Sequence, residues 1–115
     1  METNSNHAEC PAMETIALIG GRWKVIILHV LSKQARRFGE INVRIPAISR
    51  KVLTEQLREL EADGLVSRTE YKELPPRVEY ALTDFGQSLC PLLAYISAWK
   101  KGEGQTAPDI VAIPD

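Results

Sequence analysis

The sequence predicts a mainly α-helical domain completed by one small β-hairpin, an α+β arrangement. Three observations lead there. Apolar residues recur every three or four positions in segments separated by glycine and proline, as amphipathic helices require. Two short stretches with β-branched residues, LVSRTEY and RVEYAL, flank the breaker KELPP. The 115 residues, 44% hydrophobic and 25% charged, suit one core and are too few for two ordinary domains.

The elements follow in order. Pro11 fits the first position of a helix, where its missing N–H is no loss, and AMETIALI continues it until Gly20-Gly21 stops it. A second helix runs from Arg22 to about Leu31, with Trp23, Ile26, Ile27, Val30 and Leu31 as its buried stripe. KQARRF is a polar connector with room for a short extended piece. A third helical segment lies near Phe38 to Arg44, turns Ile41 and Ile45 inward, and ends at Pro46. Ser49 is placed to cap a fourth helix whose inner stripe is Val52, Leu53, Leu57 and Leu60, and Gly64 stands where a left-handed C-cap belongs. In the hairpin, Val78, Tyr80 and Leu82 alternate with Arg77, Glu79 and Ala81. Thr83 can cap a final helix in which Phe85, Leu89, Leu92, Leu93, Ile96 and Trp99 are apolar on more than one side. Residues 1–9 read as a flexible lead, 10–101 as the domain, and 102–115 as a tail interrupted by Gly and Pro.

The fourth helix carries its charges against its dipole. Acids are favoured in a first turn and bases in a last one. Here Arg50 and Lys51 open the helix, while Glu59, Glu61 and Asp63 close it. Charge is polarised along the whole chain as well: residues 22–58 hold nine bases against two acids, a net of +7 within a chain of net −1. Such a segment can present a basic face on a slightly acidic protein.

Helix, helix, helix, capped helix, hairpin, helix is the plan of a winged helix-turn-helix DNA-binding domain, which lays its second motif helix in the major groove with that helix's N-terminal residues nearest the bases. The inversion is then explained. Arg50 and Lys51 forgo a dipole interaction worth roughly 0.3–1 kcal/mol each because DNA supplies a better partner than water. Arg50, Lys51, Thr54 and Arg58 share the outer face, and Ser49 can add a contact to phosphate. Arg36 and Arg37 are placed to hold the flanking backbone. In the wing, Arg77 can enter a narrow minor groove with Lys72 at phosphate, or can instead pair with Glu79 or Glu73 on the hairpin.

The stretches CPAMETIALIGGRWKVIILHVL, RRFGEI, ISRKVLTEQLRELEADGLVSR and PPRVEYALTDFGQSL resemble the HxlR family of bacterial winged-helix transcriptional regulators, within the wider MarR-like group. The likeness spans Cys10 to about Trp99. It implies a homodimer on inverted-repeat operator DNA, terminal helices at the interface, and in some members control by redox state or reactive small molecules through a cysteine near the N-terminus. Cys10 matches that cysteine, Ser49 to Arg58 the recognition helix, and Arg77 the wing. Cys90 and the extension after Lys101 match nothing in the pattern.

Dimerisation has its own argument, because a final helix apolar on several sides needs more cover than a small domain gives. Ile16, Leu89, Leu92, Leu93, Ile96 and Trp99 are the expected interface. Two recognition helices would then face half-sites about 34 Å apart, or a multiple of it. Cys10, at a helix entrance, is either a sensor thiol for an oxidant or electrophile or a plain helix-entry residue; Cys90 reads as a buried, inert thiol and His29 as a hydrogen-bonded core or interface residue. No catalytic, metal or cofactor-binding motif is visible, and no apolar run approaches a membrane span's roughly 20 residues. Without a signal peptide's charged and apolar regions, the chain is expected in the cytoplasm. A rival function is a winged-helix protein-interaction module that binds no DNA, against which the outward bases argue.

Overall fold

The computed structural model describes residues 10–102, so the expected N-terminal lead and all but the first residue of the tail lie outside the described residues. In chain order the elements are α1 (Ala12–Ile19), α2 (Lys24–Lys33), α3 (Phe38–Arg44), α4 (Arg50–Ala62), β1 (Val66–Tyr71), β2 (Arg77–Leu82), α5 (Asp84–Ser88) and α6 (Cys90–Lys100). This is the anticipated mainly helical domain with one hairpin.

The core forms where α2, α3 and α4 meet. Ile27, Leu28, Leu31, Ile41, Leu53, Leu57, Leu60 and Leu65 are buried, each side chain contributing about 1.5–3 kcal/mol relative to exposure. The stripe on α2 differs from the sequence expectation. Ile27, Val30 and Leu31 face inward as expected, joined by Lys24 and Leu28, whereas Ile26 is 40% exposed. Apolar patterning leaves a lysine out of the inward positions, and that rotates the expected stripe. The turn before α2 also runs to Trp23, with Gly21 at φ 93°, so the helix starts two residues later than anticipated.

Helix α4 closes with paired hydrogen bonds that cap its free carbonyls. Leu65 N–H donates to Leu60 C=O (3.0 Å) and Gly64 N–H to Glu61 C=O (3.0 Å), with Gly64 at φ 79°. Leu60 and Leu65 are both buried beside this turn. The chain then enters the antiparallel hairpin, registered from Val66↔Leu82 at its base to Tyr71↔Arg77 at its tip. Arg36 adds a rudimentary third strand: its N–H donates to Tyr80 C=O (2.9 Å) and its C=O accepts from Tyr80 N–H (2.8 Å). The two-faced alternation expected in β2 is absent, and all six of its residues are half-buried. Only the base of the hairpin joins the core: Val66 is buried in it, and Tyr80 and Leu82 pack against it.

Thr83 is the junction to the terminal helices. Its Oγ1 donates to Gly64 C=O (2.6 Å) and accepts Gly86 N–H (3.0 Å), while its own N–H donates to Leu65 C=O (3.1 Å). Gly86 is buried, and a Cβ there would run into the Leu65 carbonyl. The single final helix expected from Thr83 is two pieces broken at Leu89. Pro91 has no N–H to offer Gln87 C=O, so the ladder is interrupted and Leu89 N–H turns to Gly86 C=O (3.1 Å).

No single helix among the described residues is long and apolar enough to cross a membrane. Helices α1 and α2 reach that length only together, and they are bent by 76°.

Candidate nucleic-acid interface

The leading end of α4 is built by a cap and by the turn before it. Ser49 Oγ accepts Val52 N–H (3.1 Å), satisfying one of the helix's free donors. Asn42, which the sequence did not single out, donates from Nδ2 to Ile48 C=O (3.2 Å) and ties α3 to that turn. With Leu53, Leu57 and Leu60 buried, α4 has one orientation available. Arg50, Lys51 and Arg58 are exposed at its start and along its free flank, and among the described residues none of the three forms an ion pair. The Arg50 guanidinium lies 4.7 Å from the Phe38 ring centroid, which steadies it without neutralising it. Thr54 is half-buried and its hydroxyl donates to Arg50 C=O (2.9 Å), so only its lone pairs are left for a partner.

The two arginines before α3 separate. Arg37 is exposed, and its backbone N–H donates to Glu40 Oε1 (2.9 Å) at the helix start. Arg36, expected at a phosphate, is 8% exposed and donates from Nε to Val30 C=O (3.2 Å), a carbonyl of the last turn of α2. Its backbone pairing with Tyr80 carries the side chain inward. It is a structural residue.

Lys24, one of the nine bases of residues 22–58, is also withdrawn from the surface. It is 8% exposed, and its Nζ lies 2.7 Å from Glu59 Oε1, so one of the acids closing α4 has a partner in α2. The basic segment therefore presents fewer free cations than its composition suggests. Arg50, Lys51 and Arg58 remain exposed on α4, while Arg22, Lys33, Arg37 and Arg44 are exposed on the segments before it.

In the wing, Lys72 is exposed, whereas Arg77 is committed internally. Its Nη2 lies 2.7 Å from Glu73 Oε2, its Nη1 2.7 Å from Glu79 Oε2, and its guanidinium 3.9 Å from the Tyr71 ring centroid. Glu73 first, with Glu79 adding to it, raises the Arg77 pKa above its ordinary value. Of the two roles open to Arg77 in the sequence, pairing with the hairpin glutamates is the one observed. Arg68, paired with Glu70 at 2.9 Å, has its pKa raised as well, by Tyr80 first and then Glu70.

The terminal helices leave apolar surface bare. Ile16, Ile96 and Trp99 are 54%, 49% and 68% exposed, and no residue of α6 is buried. Leu92 is half-buried; Leu89 and Leu93 pack partly against this domain's own core and are to that extent already covered. Between α2 and α6 runs a cleft of about 660 Å³ lined by Val25, Ile26, His29, Cys90, Leu93 and Ser97, among others. Cys90 is thus a half-exposed thiol on a cleft wall, with Sγ 3.9 Å from Gln87 Oε1, instead of the expected buried one; His29 is exposed on the same cleft, which removes the core reading of it and leaves the interface one. Cys10 is exposed just before α1, and its C=O accepts Met13 N–H (2.9 Å).

A capped, cation-faced helix held by two others and followed by a hairpin defines a winged helix-turn-helix protein of the DNA-binding, transcription-regulating class. The family described as HxlR-like helix-turn-helix matches residues 18–107, and the chain belongs to it. The HTH-type transcriptional regulator YdeP of Bacillus subtilis (strain 168) is 46% identical over 90 residues, 78% of this chain and 70% of that protein. Among solved structures, the redox regulator HypR in its oxidized form is 43% identical with a TM-score of 0.75, covering 81% of this chain and 96% of that one. The reduced form of the transcriptional regulator YodB from B. subtilis is 42% identical with a TM-score of 0.74, covering 80% and 91%.

Proposed function

We propose that the chain regulates transcription by binding operator DNA sequence-specifically as a homodimer, α4 in the major groove and the hairpin at the adjacent minor groove. The observation that carries this is that Arg50, Lys51 and Arg58, at the start and along the free flank of α4, are exposed and unpaired among the described residues. Arg50 and Lys51 stand where helix-turn-helix proteins contact base edges, and Arg37 and Lys72 flank them toward phosphate. Bare Ile16, Ile96 and Trp99 support pairing of terminal helices across a two-fold axis, which calls for an inverted-repeat operator.

Footprinting and gel-shift on the DNA upstream of the chain's own gene, over a salt series, test this. Binding weakens steeply as salt rises, and Arg50→Ala/Lys51→Ala reduces the log–log salt slope by about 0.9 for each phosphate no longer neutralised. A double variant that binds as tightly as the parent overturns the proposal and returns the partner-binding alternative.

A redox response through Cys10 extends this function. Its support is the exposure of Cys10 at the entrance of α1, together with likeness to HypR, named a redox regulator. An oxidant or electrophile modifies Cys10 and alters the set of the two DNA-reading domains. If Cys10→Ser still releases DNA on oxidant treatment as the parent does, Cys10 is not the sensor.

A further inference from the structure

We propose that the wing meets the duplex through Leu74, an apolar side chain at its tip, and that Arg77 is the internal brace of that tip rather than the residue that enters the groove. This rests on the DNA-binding function proposed above and specifies which wing residue carries the minor-groove contact.

Leu74 is 97% exposed, more than any other large hydrophobic residue described. It stands between Glu73 and two prolines, Pro75 and Pro76, which carry no N–H and restrict the backbone, so the tip is stiff and offers few donors to a neighbouring strand. The charges of the hairpin decide the role of Arg77. Glu70 is paired with Arg68, while Glu73 and Glu79 both depend on Arg77, which also lies over the Tyr71 ring. Withdrawing Arg77 to reach a base step would move one cation into the groove and uncover two carboxylates beside the phosphates. That exchange is repulsive overall. With Arg77 left in place, the acids stay neutralised, Lys72 is available to a phosphate, and the group that projects farthest into solvent is an isobutyl chain. Apolar side chains do enter minor grooves, lying against the sugars or wedging between base steps. Flexible pyrimidine–purine steps yield most readily, so Leu74 would add a preference for deformable sequence at the operator's flanks.

The test uses the full chain and the DNA fragment protected in footprinting. Leu74→Ala weakens binding roughly 5- to 20-fold at every salt concentration with an unchanged salt slope, because the interaction removed is apolar, and Leu74→Met stays within about threefold. Leu74 is exposed enough that its truncation leaves the core intact, and circular dichroism checks this. The triple variant Glu73→Gln/Arg77→Met/Glu79→Gln removes the Arg77 cation together with the charges it balances, while the methionine keeps the cover over Tyr71 and the prolines keep the tip stiff, and it binds within about threefold of the parent. Parental affinity in Leu74→Ala, or a tenfold loss in the triple variant, overturns the proposal. Arg50→Ala/Lys51→Ala serves as the control. If that variant alone loses affinity, DNA binding stands and only the wing assignment falls; if it too binds like the parent, both fall.

Discussion

Lys24 Nζ lies 2.7 Å from Glu59 Oε1, which fastens the first residue of α2 to the last turns of α4 through an ion pair whose lysine side chain is mostly buried and whose glutamate side chain is exposed. Helix α4 is therefore held near its far end by charge and at its start by the Ser49 cap and the Asn42 bond to Ile48. Glu59→Ala strands a mostly buried ammonium and should destabilise the fold by about 1–2 kcal/mol, discounted because one partner is solvated. Lys24→Met keeps the stem's packing and loses less. Adding Glu59→Ala to Lys24→Met should then change little. Urea unfolding of the four proteins, with unchanged slopes, measures this.

Ser49 allows stability and DNA affinity to be moved in opposite directions. Ser49→Ala loses the bond from Val52 N–H and about 0.5–2 kcal/mol. Ser49→Asp keeps a capping acceptor and adds a charge the helix dipole favours, so it should match or exceed the parent in melting temperature. The same carboxylate faces phosphate on the proposed surface, and affinity for the footprinted fragment should drop about tenfold or more.

Arg50 and Lys51 differ in what holds them. Lys51→Ala removes an unfavourable charge–dipole interaction and should stabilise the isolated protein by about 0.3–1 kcal/mol. Arg50→Ala gains the same amount but forfeits the cation–π stacking on Phe38, worth about 0.5–1 kcal/mol, so its stability should stay near the parent's. Thermal melts at low salt separate the two.

At the terminal helices, Ile96→Glu or Trp99→Glu places a charge on surface now apolar and bare. Each should shift sedimentation equilibrium toward monomer and weaken operator binding at least tenfold, leaving far-ultraviolet circular dichroism unchanged. A variant still dimeric at micromolar concentration would move the interface elsewhere.

Much of this fold is legible in the sequence because its signals are local: the Ser49 cap, the glycine at φ 79° after α4, the leucine stripe, the breaker between the strands. The residues that sequence misplaces share a cause. Arg36, expected at the DNA backbone, and Lys24, counted only toward the basic segment, have fates that depend on the Val30 carbonyl and on Glu59, partners brought near only by packing. Arg77 sits over Tyr71 because the strand register makes them a cross-strand pair, and short-range patterning does not supply that register. The break at Leu89 is different in kind. Pro91 announces it, and the continuous apolar pattern on either side outweighs the proline.

The Thr83 hydroxyl, bonded at once to the carbonyl of Gly64 and the amide of Gly86, joins the end of the reading head to the arms that would meet their copies. Twinned as proposed, modules welded this way would behave as a calliper whose gap stays set until Cys10 is modified. Inserting one base pair between half-sites turns the second by about 34° around the DNA, and a rigid gauge cannot follow it. Spacer length should thus be policed as severely as the letters themselves.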